Sequence, residues 1–454
     1  MPLATLDARL QVHADTTNPQ AIITAETTLS YAQLLDRVAA QQARLEALGI
    51  RAGDAVLLSC GFTPSAVSCF LALLRLNAVA VLCAPDDVLI EQKMQASGAV
   101  LHVPDGQLEG CVAESVDRPS ESHPLINQLV QAQSPGFVVF SSGSSGEPKA
   151  VLHNASKFTE HLKNVKKAKS TIGFLAFDHI AGIDTLLYTL FAGGTLIVPV
   201  DRSPRAVCEA VSVHSAQVLP VSPSFLKLLL ISSALTEFDL SSLEIITFGS
   251  EPPDPTVIER FAELLPHAQL LQKYGTSEFG APRSVTRPGD SRWLKLESEN
   301  FKVRVIDEIL WVKASGTMLG YLNAESRVDN QQLAADGWFC TGDRVEQDGE
   351  WLRILGRDSD LINVGGEKVF PAEVETVIEQ LPQVLECAVS GETHPLMGSV
   401  VVATVRLSEP LAPAEAKRLV RSHCKTRLAR YAIPVKVRVT TDNLTSDRGK
   451  RLRR

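Results

Sequence analysis

The segment from Phe137 to His153, Phe-Val-Val-Phe-Ser-Ser-Gly-Ser-Ser-Gly-Glu-Pro-Lys-Ala-Val-Leu-His, leaves the chain few options. Its apolar opening, Phe137 to Phe140, reads as a buried strand. The run breaks into Ser141, Ser142, Gly143, Ser144, Ser145 and Gly146, and a strand resumes over Ala150 to Leu152. Glycine allows φ > 0 and a close approach of backbone to a ligand. Successive amides and four hydroxyls together make a concave anion receptor, and Lys149 adds a full positive charge. The predicted object is a loop wrapped around a polyphosphate, because a flexible Ser/Gly linker is seldom bracketed by buried strands. It is not a Walker A loop: Glu147 and Pro148 separate Gly146 from the lysine, and no Ser or Thr follows it. Pro148 also prevents a helix from running straight out of the loop.

The residues before this segment alternate helix with strand. Ser30 is placed as an N-cap. Leu34, Leu35, Val38, Leu45 and Leu48 then fall near helical spacing, and Gly49 is a C-terminal stop. Val56 to Leu58 and Val79 to Leu82 read as strands around a helix over 65–76. This predicts an α/β fold with a largely parallel sheet. Residues 104–135, polar and proline-bearing, are expected to cross as a loop. A chain of 454 residues accommodates two to four units. The net charge of −8 argues against a general nucleic-acid binder. Eight cysteines without a CxxC pair suggest neither a zinc site nor a disulfide framework, and a reducing cytoplasm is the expected compartment. No secretory signal is apparent at the N-terminus, and no apolar run approaches the ~20 residues of a membrane span.

Ser-Ser-Gly-Ser-Ser-Gly-Glu-Pro-Lys resembles the phosphate loop of the adenylate-forming superfamily, which includes acyl- and aryl-CoA synthetases, amino-acid adenylation domains and firefly luciferase. Further motifs of that superfamily follow in order. Gln272-Lys273-Tyr274-Gly275-Thr276-Ser277-Glu278 resembles its Tyr-Gly-x-Thr/Ser-Glu element. There Tyr274 offers a flat surface for adenine, Thr276 a hydroxyl for phosphate, and Glu278 a hard oxygen ligand for Mg²⁺. By the same resemblance Gly249, Ser250 and Glu251 line the adenine with Tyr274 and Gly275. Asp343, in Thr341-Gly342-Asp343, and Arg357, in Gly356-Arg357, bind ribose. Phe177-Asp178-His179 resembles the segment that gates the carboxylate pocket of acyl- and aryl-CoA synthetases. His179 is therefore expected as the gate, with Phe177, Asp178, Ile183, Phe279 and Gly280 as pocket walls. Amino-acid adenylation domains use an aspartate after Phe in this neighbourhood to hold the substrate amine, and Asp178 leaves that alternative open.

Past Arg357 the composition shifts towards a smaller α+β unit, with a helix expected over Ala372 to Leu381 and strands over Val384 to Val389 and Val400 to Val405. The resemblance implies a large N-terminal domain of layered sheets and helices over residues 1–358 and a small mobile C-terminal domain over 359–454. It places the hinge at Ser359, the thiol channel near Gly365 and Gly366, and the catalytic lysine at Lys450. Phe301 to Ser315 reads as abridged relative to the superfamily. The implied activity is ATP- and Mg²⁺-dependent conversion of an aryl or fatty acid to an acyl-AMP, then transfer to a thiol of CoA or of a carrier protein's phosphopantetheine arm. Arg448, Arg451, Arg453 and Arg454 are candidates to meet acidic phosphates of either acceptor. The alternatives are a free-standing amino-acid adenylation enzyme loading a carrier protein, a luciferase-like oxidase, and a catalytically inert binding module.

Overall fold

The structure, a computed structural model, describes residues 2–17, 19–109, 118, 122–142, 148–162, 165, 167–249, 255–282, 284–297, 301–323, 332–334, 336–395, 397–444 and 453. Among them the strands build four sheets. In the first, Ala99–Pro104, Ala55–Ser59, Val79–Cys83 and Gly136–Ser142 run parallel. The sheet ends in the antiparallel strands Pro148–Asn154 and Gly320–Tyr321. Ala55–Ser59 and Val79–Cys83 are buried along their whole length, the pattern of a parallel strand covered on both faces.

The covering helices start where their sequences direct. Ser30 caps the helix Tyr31–Ala47 in a reciprocal box with Gln33, which satisfies two backbone donors that would otherwise lack partners. Leu34, Val38 and Leu45 point inward, and Gly49 takes φ +78° just past the end. Thr63 caps Pro64–Arg75, whose residues Ala66 to Leu74 are all buried. The expected loop over 104–135 contains a helix, Pro124–Gln131. Pro124 opens its first turn, His123 accepts from the Leu125 amide at 3.2 Å, and Ile126 and Leu129 are its buried contacts. Eight residues, barely two turns, are too short a window for a helical period to be read. A helix over Pro2–Asp15 was likewise not anticipated.

The second sheet is parallel apart from its Thr28–Ser30 edge, in the order Gln269–Gln272, Ile245–Phe248, Val218–Val221, Ser170–Ile172, Thr195–Ile197, Gln20–Ile23, Thr28–Ser30. Phe248 pairs with Gln272, so Gly249 and Lys273 leave adjacent strands side by side. The third sheet is antiparallel and carries Phe339–Asp348 beside Trp351–Arg357. Its edge, Phe301–Ile306 with Ile309–Ala314, closes through Asp307 and Glu308 at φ +51° and +63°. The segment that reads as abridged is thus a complete hairpin on a two-residue turn of the kind that matches strand twist.

The fourth sheet, with the helices Pro371–Ile378 and Pro413–Lys425, has a separate core of residues between Ile362 and Ile433. The first of these helices starts at Pro371 and is shorter than expected, because Glu379 already closes its last turn. Among the described residues no helix is long and apolar enough to cross a membrane.

The helix Ile180–Ala192 fixes where His179 stands, since His179 is its N-cap. Gly182 lets that helix pack on the preceding turn: a Cβ there would lie 1.9 Å from the Ala176 carbonyl oxygen. Backbone, not a flexible side chain, is the obstacle. Gly182→Ala is expected to lower stability by about 1–3 kcal/mol, read as a shift of the urea midpoint at unchanged slope.

Candidate functional site

Three segments far apart in sequence meet at one place. The first is the hairpin around the Ser/Gly loop. Ser141 pairs with Lys149 and Ser142 with Pro148, so Lys149 stands where the second strand leaves the loop, its Nζ 5.2 Å from the centroid of the Tyr321 ring. Gly143, Ser144, Ser145 and Gly146 lie outside the described residues, as do Ser250, Glu251 and Lys450.

The second is the turn from Lys273 to Gly280, at the carboxyl ends of parallel strands, where ligands of open α/β sheets bind. A Cβ on Gly249 would lie 2.4 Å from the Lys273 carbonyl oxygen, and one on Gly275 would lie 2.3 Å from that of Gly280. These two glycines permit the close approach that the turn requires. Thr276 and Gly280 exchange backbone hydrogen bonds of 3.2 and 3.0 Å, and the Thr276 hydroxyl accepts from the Glu278 amide at 3.2 Å. Glu278 is buried, and its Oε1 accepts from the Tyr321 hydroxyl at 3.2 Å.

The third is the cross-strand pair Asp343 and Arg357. Their side chains approach to 3.6 Å, with the arginine half-exposed and the aspartate buried. Tyr274 donates its hydroxyl to Asp343 Oδ2 at 2.5 Å, and the Thr341 hydroxyl accepts from the Asp343 amide at 3.0 Å. Burial pushes the Asp343 carboxyl above the ordinary carboxylate range, against the pull of Arg357 and with a further push from Glu278 and Asp360. Burial first, then Asp343, raises the Tyr274 hydroxyl well above its usual value. The Tyr274–Asp343 hydrogen bond places the second and third segments at one locus.

A residue with no assigned role in the sequence joins the first segment to the second. His153 is fully buried and stacks on Phe137, with ring centroids 4.9 Å apart. Its Nε2 lies 2.7 Å from the Ser277 carbonyl oxygen and its Nδ1 3.2 Å from that of Gly316. No local pattern signals this, because both acceptors are more than a hundred residues away.

The expected pocket residues lie on two stretches, 177–183 and 279–280. Phe177 packs between Phe62 and Phe70, with centroids at 5.0 and 5.4 Å. Ile183 is wholly buried in the same core. Asp178 is buried close enough to Cys60 to help raise that thiol's pKa, after burial and the neighbouring Cys69, Cys83 and Asp105. Phe279 lies among Tyr274, Phe301 and Phe339. Gly280, at φ +80°, faces the Phe158 ring. The helix carrying His179 does reach the turn, through Asp184: its carboxylate lies 2.9 Å from His161 Nε2, and the His161 ring packs edge-on against Phe158.

In the C-terminal unit, Gly365 and Gly366 form a two-residue hairpin turn with φ of +62° and +95°. Ser359 lies in a short helical turn, Asp358–Asp360. Arg453 is committed within the protein. It donates to both oxygens of the buried Glu375 at 2.8 Å each and to Asp360 at 2.8 Å. These bonds engage a guanidinium that the sequence offers to acceptor phosphates: a buried carboxylate is costly unless paired, and a bidentate guanidinium pairs it best.

Burial lowers the His153 pKa from its ordinary value of 6.5, against the opposing pull of the two carbonyls and Glu278. The folded protein therefore binds a proton here less readily than the unfolded chain. This contribution to stability is complete above pH 6.5 and is lost as pH falls through 6.5 towards the lowered value. Urea midpoints between pH 7.5 and 5 are expected to drop less in His153→Gln than in the parent.

Comparison with known proteins agrees with this geometry. Residues 9–322 match the AMP-binding enzyme family, and residues 373–450 match the AMP-binding enzyme C-terminal domain. A feruloyl-CoA synthase of Amycolatopsis sp. is 27% identical over 98% of this chain and 96% of its own length. Acyl-CoA synthetase 7 of Caenorhabditis elegans is 29% identical over 70% of this chain, and the match spans only 64% of that protein. The crystal structure of an anthranilate CoA ligase with anthranoyl-AMP superposes with a TM-score of 0.82 at 21% identity, covering 99% of this chain and 95% of that one.

Proposed function

We propose that this chain, which belongs to the AMP-binding enzyme family of adenylate-forming ligases, activates an aryl or fatty acid as its acyl-AMP and passes the acyl group to coenzyme A. The observation that carries the reading is the meeting of Glu278, Tyr274 and the Asp343–Arg357 pair beside the strand that bears Lys149. A carboxylate alone is a poor acylating agent. Its oxygen attacks the α-phosphorus of ATP, and pyrophosphate leaves. A thiolate then attacks the acyl carbon, and AMP leaves.

The chain's own groups serve the first step by position and charge more than by proton transfer. Tyr274 holds the buried Asp343 carboxylate, which accepts the ribose hydroxyls, and Arg357 stands beside it. The loop amides and hydroxyls, with Lys149, receive the β- and γ-phosphates. Glu278 fits a Mg²⁺ site: it offers hard oxygens and its orientation is fixed by Tyr321. Such a site needs only one or two carboxylates besides the substrate phosphates. When bound, the ion would offset the charge that accumulates on those phosphates. Lys450 completes the set from the C-terminal domain, which we place after residue 358 with its hinge at Ser359. His179 gates the acid pocket, and the Gly365–Gly366 turn borders the path of the thiol. The amino-acid alternative requires Asp178 to face a substrate amine, and the His179 that follows it fits the acyl- and aryl-CoA synthetase pattern, which favours an acid without one.

ATP–pyrophosphate exchange across aryl, fatty and amino acids tests the reading. Exchange is expected with an aryl or fatty acid, followed by a CoA thioester; exchange with amino acids alone would overturn it. Lys450→Ala is expected to slow adenylate formation by about a hundredfold or more. It should leave thioester formation from supplied acyl-AMP within twofold of the parent, measured as separate half-reactions.

A further inference from the structure

The segment Gly316–Asn323 carries no expected site residue, yet it touches the site at four places. Its Gly316 carbonyl faces His153, and the Met318 amide donates to the Glu278 carbonyl at 2.7 Å. The Tyr321 hydroxyl reaches the Glu278 carboxylate, and the face of the Tyr321 ring lies towards Lys149. Asn323 then does what a strand residue would do, with its side chain. Its Oδ1 accepts from the Ala150 amide at 2.9 Å and its Nδ2 donates to the Pro148 carbonyl at 2.8 Å. Those two groups flank Lys149. The Leu319 and Leu322 amides bond the Leu152 and Ala150 carbonyls at 2.8 and 2.9 Å, so the strap is laced along the strand that leaves the Ser/Gly loop.

We infer that Tyr321 and Asn323 are positioning residues. They fix the separation between the Lys149 ammonium and the Glu278 carboxylate, and so select a nucleotide by its β- and γ-phosphates. The argument is geometric. A backbone pair ends where the loop begins, and Asn323 extends the pairing by one step on each side of Lys149. Tyr321 serves both ends at once: its ring limits the ammonium and its hydroxyl orients the carboxylate, as partners outside a metal's ligand set do. Neither residue is expected to touch the adenosine, which belongs to Tyr274 and Asp343.

This inference rests on the adenylation reading, and nucleotide binding separates the two. Calorimetry would compare ATP with AMP, each with and without Mg²⁺. Asn323→Ala, which removes both side-chain hydrogen bonds, is expected to weaken ATP about tenfold and to leave AMP within twofold. Asn323→Asp keeps the acceptor for Ala150 and loses the donor to Pro148, and should fall between. Tyr321→Phe keeps the ring and removes the hydroxyl. It is expected to raise several-fold the Mg²⁺ concentration needed for tight ATP binding, with AMP binding in EDTA unchanged. Equal losses for ATP and AMP, or no loss for either in variants with parental melting curves, would overturn the positioning role. Should the parent chain bind neither nucleotide, the adenylation reading itself would fall, and this inference with it.

Discussion

The arrangement of the site depends on one buried imidazole. His153 sits at the end of the strand that leaves the Ser/Gly loop, enclosed by Phe137 and Phe158. It reaches carbonyl oxygens on two segments that have no strand pairing with each other, at Ser277 and at Gly316. Buried carbonyls without a donor are costly; the neutral ring has one N–H to give, so it satisfies one of the two carbonyls while its faces and edges pack the segments together. Without it, the turn bearing Glu278 would be held to the hairpin only through the strap.

Sheet topology supplies the rest of the positioning. Parallel strands end together, so the residues that follow Phe248 and Gln272 leave at the same height. The antiparallel third sheet places Asp343 opposite Arg357 by register alone. The Tyr274–Asp343 bond then joins the two sheets across a buried contact. Each of these couplings uses a side chain whose partner was fixed beforehand by backbone pairing. That is why small groups such as Gly249 and Gly275 matter as much as charged ones.

Much of this was legible in the residue order. The capped helix at Ser30, the strands at Val56 and Val79 and the hairpin around the Ser/Gly loop follow from local propensity and apolar runs, which act over a few residues. The motif residues Tyr274, Glu278, Asp343 and Arg357 were legible because their chemistry is distinctive. What escaped were partners brought together by tertiary packing. His153, Tyr321 and Asn323 are ordinary residues in sequence, and only folding gives them acceptors 124, 43 and 175 positions away. The Pro124–Gln131 helix escaped for the opposite reason, being too short to show a period.

Arg453 has a mechanical consequence. Its fork on Glu375 and Asp360 moors the end of the polypeptide to the smaller unit. The short turn Asp358–Asp360 and the helix Pro371–Ile378 share this one cationic clamp, so they cannot part without taking the guanidinium from the buried Glu375 carboxylate.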